Sequence, residues 1–325
     1  FQGNNIVKLG KNVFGSTLPT FLHIWVQSDK VNEYQTAYSP VLDPVYGEGT
    51  TADILGEIND KTEIVQGVLF EITEEGKVLV SVSADLEGEY VVPSDTVRIA
   101  EDAFAGCDKL EILWLADSLK EVPEDVFSDA TALRSVVDES DVLSKMSSTG
   151  ITEDAEVFEK GKAFADYLYE DDVLYGVNRS GEYTLLCVPT TYDGVVNVKA
   201  NTVRLYEKAF RKCSKITGIV IISPESLVEI GESCFEGAFR FGTVDFSECT
   251  NLTTIGAYAF KECRGMTKLM LPSSLETISE GMCEGAVWLK SVDINGCREI
   301  EDRAFYGCNL LTTVTNMDDV RRIGD

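Results

Sequence analysis

The chain has 325 residues, of which 44% are hydrophobic and 26% are charged, a balance typical of soluble globular proteins. Its 55 acidic and 28 basic residues give a formal net charge of −27, which argues against nucleic acid or an anionic membrane as the main partner. The single histidine, His23, excludes most histidine-based catalysis and most transition-metal sites. No apolar run reaches the length of about 18 residues that a membrane span requires.

The first residues predict three short segments. Residues 1–3 are what a protease leaves after removing a purification tag, so we interpret them as a tag remnant. Residues 4–46 predict a partial repeat and a helical end segment. This part would contain a strand from Leu22 to Val26 and a helix capped by Ser28. His23, within the strand, would be an exposed or structural residue. Residues 47–66 are rich in glycine, threonine and acids and predict a connector.

A repeat governs most of the remaining chain. The pattern Ile-x-x-x-Ala-Phe-x-x-Cys occurs at residues 99–107, 255–263 and 300–308, and 205–213 has Leu in its first position. Diverged copies lie around Phe14, Phe127, Phe235 and Cys283, and consecutive copies within a block are 22 to 25 residues apart. An aliphatic residue precedes each of the eight anchors by five positions: Leu9, Ile99, Val122, Leu205, Ile230, Ile255, Ile278 and Ile300.

Each repeat also carries a short alternation of apolar residues, such as Leu113 with Leu115 or Leu269 with Leu271, which predicts a half-buried strand. The Ala-Phe-x-x-Cys segment predicts a short helical or 3-10 turn. One such unit cannot bury its own apolar face, so neighbouring units must stack around a continuous core. The predicted fold is therefore a repeat solenoid of the α/β class, a leucine-rich-repeat horseshoe with one strand and one short helical or 3-10 turn per repeat and with inserted β-hairpins.

The full frame, Leu-x-x-Ile-x-x-x-Ala-Phe-x-x-Cys-x-x-Leu followed by two alternating aliphatics, resembles the BspA-like leucine-rich-repeat family of bacterial cell-surface and secreted proteins. The resemblance covers residues 99–138 and 205–325, with a piece at 6–26. It implies an extracellular or cell-surface location, with the export signal and anchor outside this sequence, and adhesion to a protein or glycan on a host or neighbouring cell. Residues 68–76 and 173–181 resemble the hairpin that often opens a block of repeats, and residues 31–38 resemble the helix that often closes one.

These features predict the organisation after residue 66. Residues 67–138 form a hairpin plus two repeats, 139–167 a charged insertion, and 168–325 a hairpin plus the main repeat block, which stops within a repeat. In the insertion, a helix capped by Thr152 would turn Val157, Phe158 and Phe164 toward the core. We favour one discontinuous solenoid over two separately packed blocks.

Nine cysteines and two acidic runs raise the question of metal or redox chemistry. Cysteine alternates with alanine three positions after successive anchors, which places these thiols about 10 Å apart, beyond the limit of about 7 Å between disulfide Cα atoms. We therefore expect buried, unpaired thiols and neither a metal nor a cofactor. The acidic runs at 138–141 and 170–172 predict solvated loops, with a weak calcium site as the alternative.

The strand positions that alternate with the buried aliphatics would form an outward-facing column. Apolar residues in this column favour a contact surface, because tryptophan and methionine are enriched in interfaces. The predicted ligand-binding residues are Trp114, Val137, Val220, Asp245, Lys268, Met270 and Asp293. The alternative for Trp114 is that it packs beneath the insertion at 139–167.

Without a catalytic motif, the sequence favours a noncatalytic recognition or adhesion protein that binds a protein or glycan through an extended sheet. One alternative is a structural spacer or scaffold domain of a larger envelope protein. The other is a carbohydrate-active accessory protein or enzyme that uses two carboxylates. A spacer predicts a uniformly polar sheet face, whereas an enzyme predicts a deep pocket with two convergent acids.

Overall fold

The computed structural model describes residues 24–27, 55–58, 61–238, 240 and 242–325. Strand β1 (Ile24–Gln27) pairs in parallel with β2 (Leu55–Ile58). The predicted strand from Leu22 is thus described from Ile24 onward, whereas His23, the repeat around Phe14 and the helix after Ser28 lie outside the described residues. Within the described ranges, no helix has the length and apolar character needed to cross a membrane.

Residues 61–160 form a first stack of coils. It opens with an antiparallel hairpin of three strands: β3 (Thr62–Val65), β4 (Val68–Thr73) and β5 (Gly76–Ser81). The predicted connector therefore contains β2 and β3. The coils that follow contribute parallel strands: β6 (Gly88–Val91), β7 (Thr96–Ile99), β8 (Leu110–Leu115), β9 (Ser135–Asp138) and β10 (Glu156–Glu159). One ladder continues from β5 to β7, and the other runs in the order β6-β8-β9-β10.

The segment predicted as a charged insertion continues this stack. The one helix that forms in this segment, whose residues are all described, is a 3-10 helix at Leu143–Lys145. After it, β10 pairs in parallel with β9. In the same fully described segment no helix follows Thr152, and its hydroxyl, which was predicted to cap one, has no hydrogen-bond partner. A strand forms because the open edge of β9 offers backbone groups that need partners. Phe158 is buried as predicted, whereas Val157 is exposed and Phe164 half-buried.

Residues 166–325 form a second stack, which again opens with an antiparallel hairpin: β11 (Asp166–Glu170), β12 (Val173–Val177) and β13 (Tyr183–Cys187). Its coils contribute two series of parallel strands. One series consists of β14 (Gly194–Val198), β16 (Ile216–Ile221), β18 (Thr243–Asp245), β20 (Lys268–Met270), β22 (Ser291–Asp293) and β24 (Thr313–Thr315). The other consists of β15 (Thr202–Leu205), β17 (Glu229–Ile230), β19 (Thr254–Ile255), β21 (Thr277–Ile278), β23 (Glu299–Ile300) and β25 (Arg322–Ile323), with a 3-10 helix at Pro224–Ser226 before β17.

The anchor segments are turns, which corrects the predicted strand-plus-helix horseshoe. In the Phe210 repeat, Lys208 and Lys212 have φ angles of 57° and 62°, and a helix cannot contain such left-handed residues at regular intervals. The backbone N–H groups of Lys208, Phe210 and Lys212 donate instead to carbonyls of the next coil, at distances of 2.7–3.0 Å. Adjacent coils are therefore joined by hydrogen bonds at the turns as well as at the strands. The result is a β-solenoid of stacked coils with little helix.

The phenylalanine anchors stack inside the solenoid, as the repeat predicts. The ring centroids of Phe210 and Phe235 lie 4.7 Å apart, and those of Phe235 and Phe260 lie 5.1 Å apart with nearly parallel planes. In the first stack the corresponding pair is Phe104 and Phe127, at 5.1 Å. Each stack has its own hydrophobic core, and a third, smaller cluster joins them.

Candidate recognition surface

The strand register divides the predicted outward column between the two stacks. In the first stack, Trp114 on β8 lies beside Val137 on β9, and Phe158 on β10 extends this row. In the second stack, Val220 on β16 pairs with Asn197. A separate row joins Asp245, Met270, Asp293 and Thr315, and Lys268 lies beside this row in the same sheet. The structure therefore divides the seven predicted residues among three separate sheets.

The first-stack residues of this column are covered by the second stack. Val137 is completely buried, and Trp114 is half-buried with its ring edge-on to Tyr167 at a centroid distance of 6.2 Å. Leu174 and Leu186 of the β11–β13 hairpin complete this cluster. The predicted alternative for Trp114 is close to this arrangement, because Tyr167 ends the segment 139–167 and starts the hairpin. The side chain of Val137 has no surface on which a ligand could bind.

A polar contact accompanies this apolar joint. The guanidinium of Arg134 donates to the carbonyls of Val188, Lys208 and Ala209, with distances of 2.9 and 3.3 Å to the last two. It also lies 3.6 Å from the carboxylate of Glu111, which is only 4% exposed. Glu111 in turn accepts hydrogen bonds from the backbone N–H and the hydroxyl of Thr190, at 2.8 and 2.7 Å. The two stacks are thus held by directional bonds at a fixed register.

The second-stack sheet face is open to solvent. Val220 is 47% exposed, Asp245 and Lys268 are exposed, and Met270 and Asp293 are half-buried. Val195 and Ile222, which the sequence analysis missed, are 46% and 56% exposed. Val195 pairs with Gly218, so its side chain meets no large neighbour there. We call Val195, Val220 and Ile222 the exposed patch. Period-two alternation in β14, with Val196 and Val198 buried, could have revealed its first member.

The cysteines lie in the core as predicted. Eight of the nine are buried and Cys308 is half-buried, with no disulfide among them. Several thiols donate to backbone carbonyls of the preceding coil, including Cys263 to Phe235 at 3.0 Å and Cys213 to Val188 at 3.3 Å. Burial raises the pKa of Cys249 to about 11 and that of Cys297 to about 12, so both remain protonated at neutral pH. Across the described residues, no three cysteine, histidine or acidic side chains form a possible metal site.

The two acidic runs have different roles. Asp138 is completely buried and accepts bonds from the N–H and hydroxyl of Ser140 and from the N–H of Leu143, at 2.7–3.0 Å. The prediction of a solvated loop is therefore wrong for Asp138, because its carboxylate organises the turn after β9. Asp171 and Asp172 are exposed, and their φ angles of 52° and 58° make the tight turn between β11 and β12.

Comparison with solved structures gives several matches of low sequence identity. A leucine-rich cell surface protein from Faecalibacterium prausnitzii is 14% identical, with 81% of this chain and 94% of that chain covered and a TM-score of 0.34. A leucine-rich repeat protein from Eubacterium ventriosum is 16% identical, with 78% and 84% covered and a TM-score of 0.44. The leucine-rich repeat protein of T. pallidum is 18% identical, with 78% and 91% covered and a TM-score of 0.32.

Among curated proteins, none matches this chain. The profile described as BspA type leucine rich repeat region matches residues 87–149 and 195–325 in six copies. These ranges include the coils of both stacks, and the match begins just before β6 in the first stack and at β14 in the second. The chain therefore belongs to the BspA-type leucine-rich-repeat family.

Proposed function

We propose that this protein is a noncatalytic recognition module, displayed at or secreted from a bacterial cell surface, that binds a partner protein through the open sheet face of its second stack. The supporting observation is a contact between the two stacks of this chain. In the first stack, the same outward face of the coils, with Trp114 and Val137, packs against the β-hairpin of the second stack. This face of the coil is therefore able to dock onto folded protein.

The second stack has an uncovered version of this face. Its exposed patch consists of branched aliphatic side chains on β14, on β16 and just after β16, and a contact of this kind excludes water on association. Asp245, Lys268 and Asp293 provide polar and charged groups farther along the stack. An apolar centre with a polar rim is the usual composition of a specific protein interface. Because each coil is fixed by its neighbours, the surface is preorganised for binding.

The proposal is tested first by screening the chain against protein and glycan arrays at physiological salt. The confirmed partner is then titrated with a Val220→Asp, Ile222→Asp variant. We expect at least a tenfold loss of affinity, because two charged groups would be desolvated in an apolar contact.

Val65→Asp, Ile72→Asp is the matched control, because both are exposed strand residues in the first stack, at 38% and 42%. This variant should bind like the unchanged protein. Equal affinity of all three proteins for a confirmed partner would overturn the proposed face. Recovery of glycans alone from the arrays would overturn the choice of a protein partner.

A further inference from the structure

A cleft lies beside the joint between the two stacks and borders the exposed patch at Asn197, which lines the cleft and pairs with Val220. Its volume is about 750 Å³. It is bounded by the start of β6, by the turn between β11 and β12, and by the loop before β14. The side chains that carry charge or an aromatic ring in its wall are Glu87, Glu89, Tyr169, Asp171, Asp172, Tyr192 and Asp193.

The charge of this wall is entirely negative, because it contains five carboxylates and neither lysine nor arginine. Asp193 has a cationic neighbour, Arg240, at 4.0 Å. Within the described ranges, no ion pair involves Glu87, Glu89, Asp171 or Asp172. Lys199, which lies outside the wall, is paired with Glu170. Four of the five carboxylates in the wall therefore lack a cationic partner in the described part of the chain, and the cleft presents a net negative field to solvent.

Glu89 is the most deeply placed of these acids. Its Oε1 atom is shielded from solvent and has no hydrogen-bond partner. Burial, together with the charge of Asp172, raises the pKa of Glu89 to about 7. The other titratable groups in the wall lie on the neighbouring elements: Tyr169 on β11, Asp171 in the turn after it, Tyr192 and Asp193 in the loop before β14, and Glu87 just before β6. Tyr169 has a raised pKa, caused first by burial and then by Glu89 and Asp172, so it remains a neutral phenol.

The chain holds a lysine in a similar environment close by. Lys199 lies 5.2 Å above the ring centroid of Tyr183 and pairs with Glu170, the residue just before the Asp171–Asp172 turn. A carboxylate and a tyrosine face together stabilise an ammonium group, through charge and through the ring quadrupole. The cleft offers the same two kinds of group, with more carboxylates and with two tyrosines.

We infer that this cleft binds a cationic side chain, a lysine ammonium or arginine guanidinium, carried by an exposed basic segment of a partner protein. The carboxylates of Asp171 and Asp172 attract the cation at the mouth. Glu89 receives it deeper in the cleft, and Tyr169 and Tyr192 provide aromatic surface. A neutral sugar can donate hydrogen bonds to these carboxylates but leaves their charge uncompensated, whereas a cation neutralises it.

The inference is tested by calorimetric titration of the full chain with the blocked tripeptide acetyl-Lys-Lys-Lys-amide. Acetyl-Gln-Gln-Gln-amide is the neutral control, and spermidine is the small-amine control. We expect the lysine peptide to bind and the glutamine peptide to give no heat. A bound cation favours ionised Glu89, so the affinity should rise by about tenfold from pH 6 to pH 8. Glu89→Gln should remove most of this pH dependence.

The variant Asp171→Asn, Asp172→Asn should weaken binding at least tenfold while keeping the turn, because asparagine adopts left-handed φ angles readily. The charge-matched control is Asp117→Asn, Asp318→Asn, in which both residues are exposed and lie outside the cleft. Circular dichroism melting confirms that each variant is folded. Equal binding by the two double variants would overturn the inference, since it would reflect net charge alone. Binding of spermidine without binding of the peptide would overturn a protein-borne ligand.

Discussion

The guanidinium of Arg134 in the first stack donates a hydrogen bond of 2.9 Å to the backbone carbonyl of Lys208 in the second stack. Along the second stack, the turns donate in one direction, so the N–H of Lys208 bonds to the carbonyl of Glu232 in the following coil. The N–H of Val188 already donates to the carbonyl of Ala209 at 2.9 Å, and Arg134 adds bonds to the same turn that join the two stacks through main-chain atoms.

Replacing Arg134 should weaken this joint strongly. Arg134→Met removes the hydrogen bonds and leaves Glu111 buried without its cation, so we expect the free energy of unfolding to fall by about 3 kcal/mol. Adding Glu111→Gln should restore part of the loss, because the uncompensated charge disappears. Urea denaturation followed by tryptophan fluorescence and circular dichroism measures both effects.

Arg298→Met is the matched control, because Arg298 forms an exposed pair with Glu276 at 2.6 Å. Such surface pairs contribute less than about 1 kcal/mol. Equal stability of the Arg134 and Arg298 variants would contradict the role assigned to the joint.

The stacked rings should account for much of the stability of the second stack. Phe235 is completely buried between Phe210 and Phe260. Phe235→Ala should lower the free energy of unfolding by about 3–5 kcal/mol, since it removes ring contacts and leaves a cavity. Tyr306→Ala, at a 64% exposed ring, is the control and should change stability little. A melting temperature for Phe235→Ala within error of the control would refute the stacked core.

Alanine substitutions at two glycines distinguish a steric clash between coils from backbone strain within a coil. A Cβ atom on Gly256 would lie 2.5 Å from the backbone nitrogen of Glu232, whereas one on Gly237 meets nothing closer than 3.7 Å. Gly237 has a φ angle of 73°, so Gly237→Ala should cost about 1 kcal/mol through backbone strain alone. Gly256→Ala should cost more, about 2–3 kcal/mol, because two coils must move apart. Denaturant titration of both variants checks this order, and the reverse order would contradict the coil spacing.

Thiol accessibility provides a further test of the core. Alkylation of the native protein at pH 8 should modify Cys308 at most, and Cys308→Ala should abolish this labelling. Alkylation in denaturant, without reductant, should modify nine thiols. Fewer than nine would indicate disulfide formation and contradict the structure.

Alkaline pH should destabilise the fold because the thiols are buried. Burial raises the pKa of Cys249 from 9.0 to about 11, so above pH 9 the folded state retains a proton that the unfolded state loses. Stability should therefore fall as the pH rises from about 9 to 11, by up to roughly 1.4 kcal/mol per pH unit for each such thiol. Stability measured by urea titration that is flat over this interval would show that the thiols are exposed.

Much of the fold follows from periodicity alone. Stacking of the anchor rings, burial of the aliphatic residue five positions earlier and the family relationship were all predictable, because these features repeat at a fixed spacing. The backbone conformation of the turn could not be predicted from periodicity. Lys208 and Lys212 are ordinary residues whose left-handed conformation is set by hydrogen bonds to the neighbouring coil, and residue type alone does not reveal it.

The outward column shows the same division between sequence and structure. Alternation along the chain determined which side of a strand each residue faces, so the rows containing Trp114 and Met270 could be assigned from the sequence. Only the tertiary structure decided that the hairpin of the second stack covers Val137, that the face holding Val195 stays open, and that acids far apart in the chain meet at Glu89 and Asp172. Local periodicity specifies how a unit stacks on its neighbour, whereas contacts between stacks depend on nonrepeating residues that only the folded chain brings together.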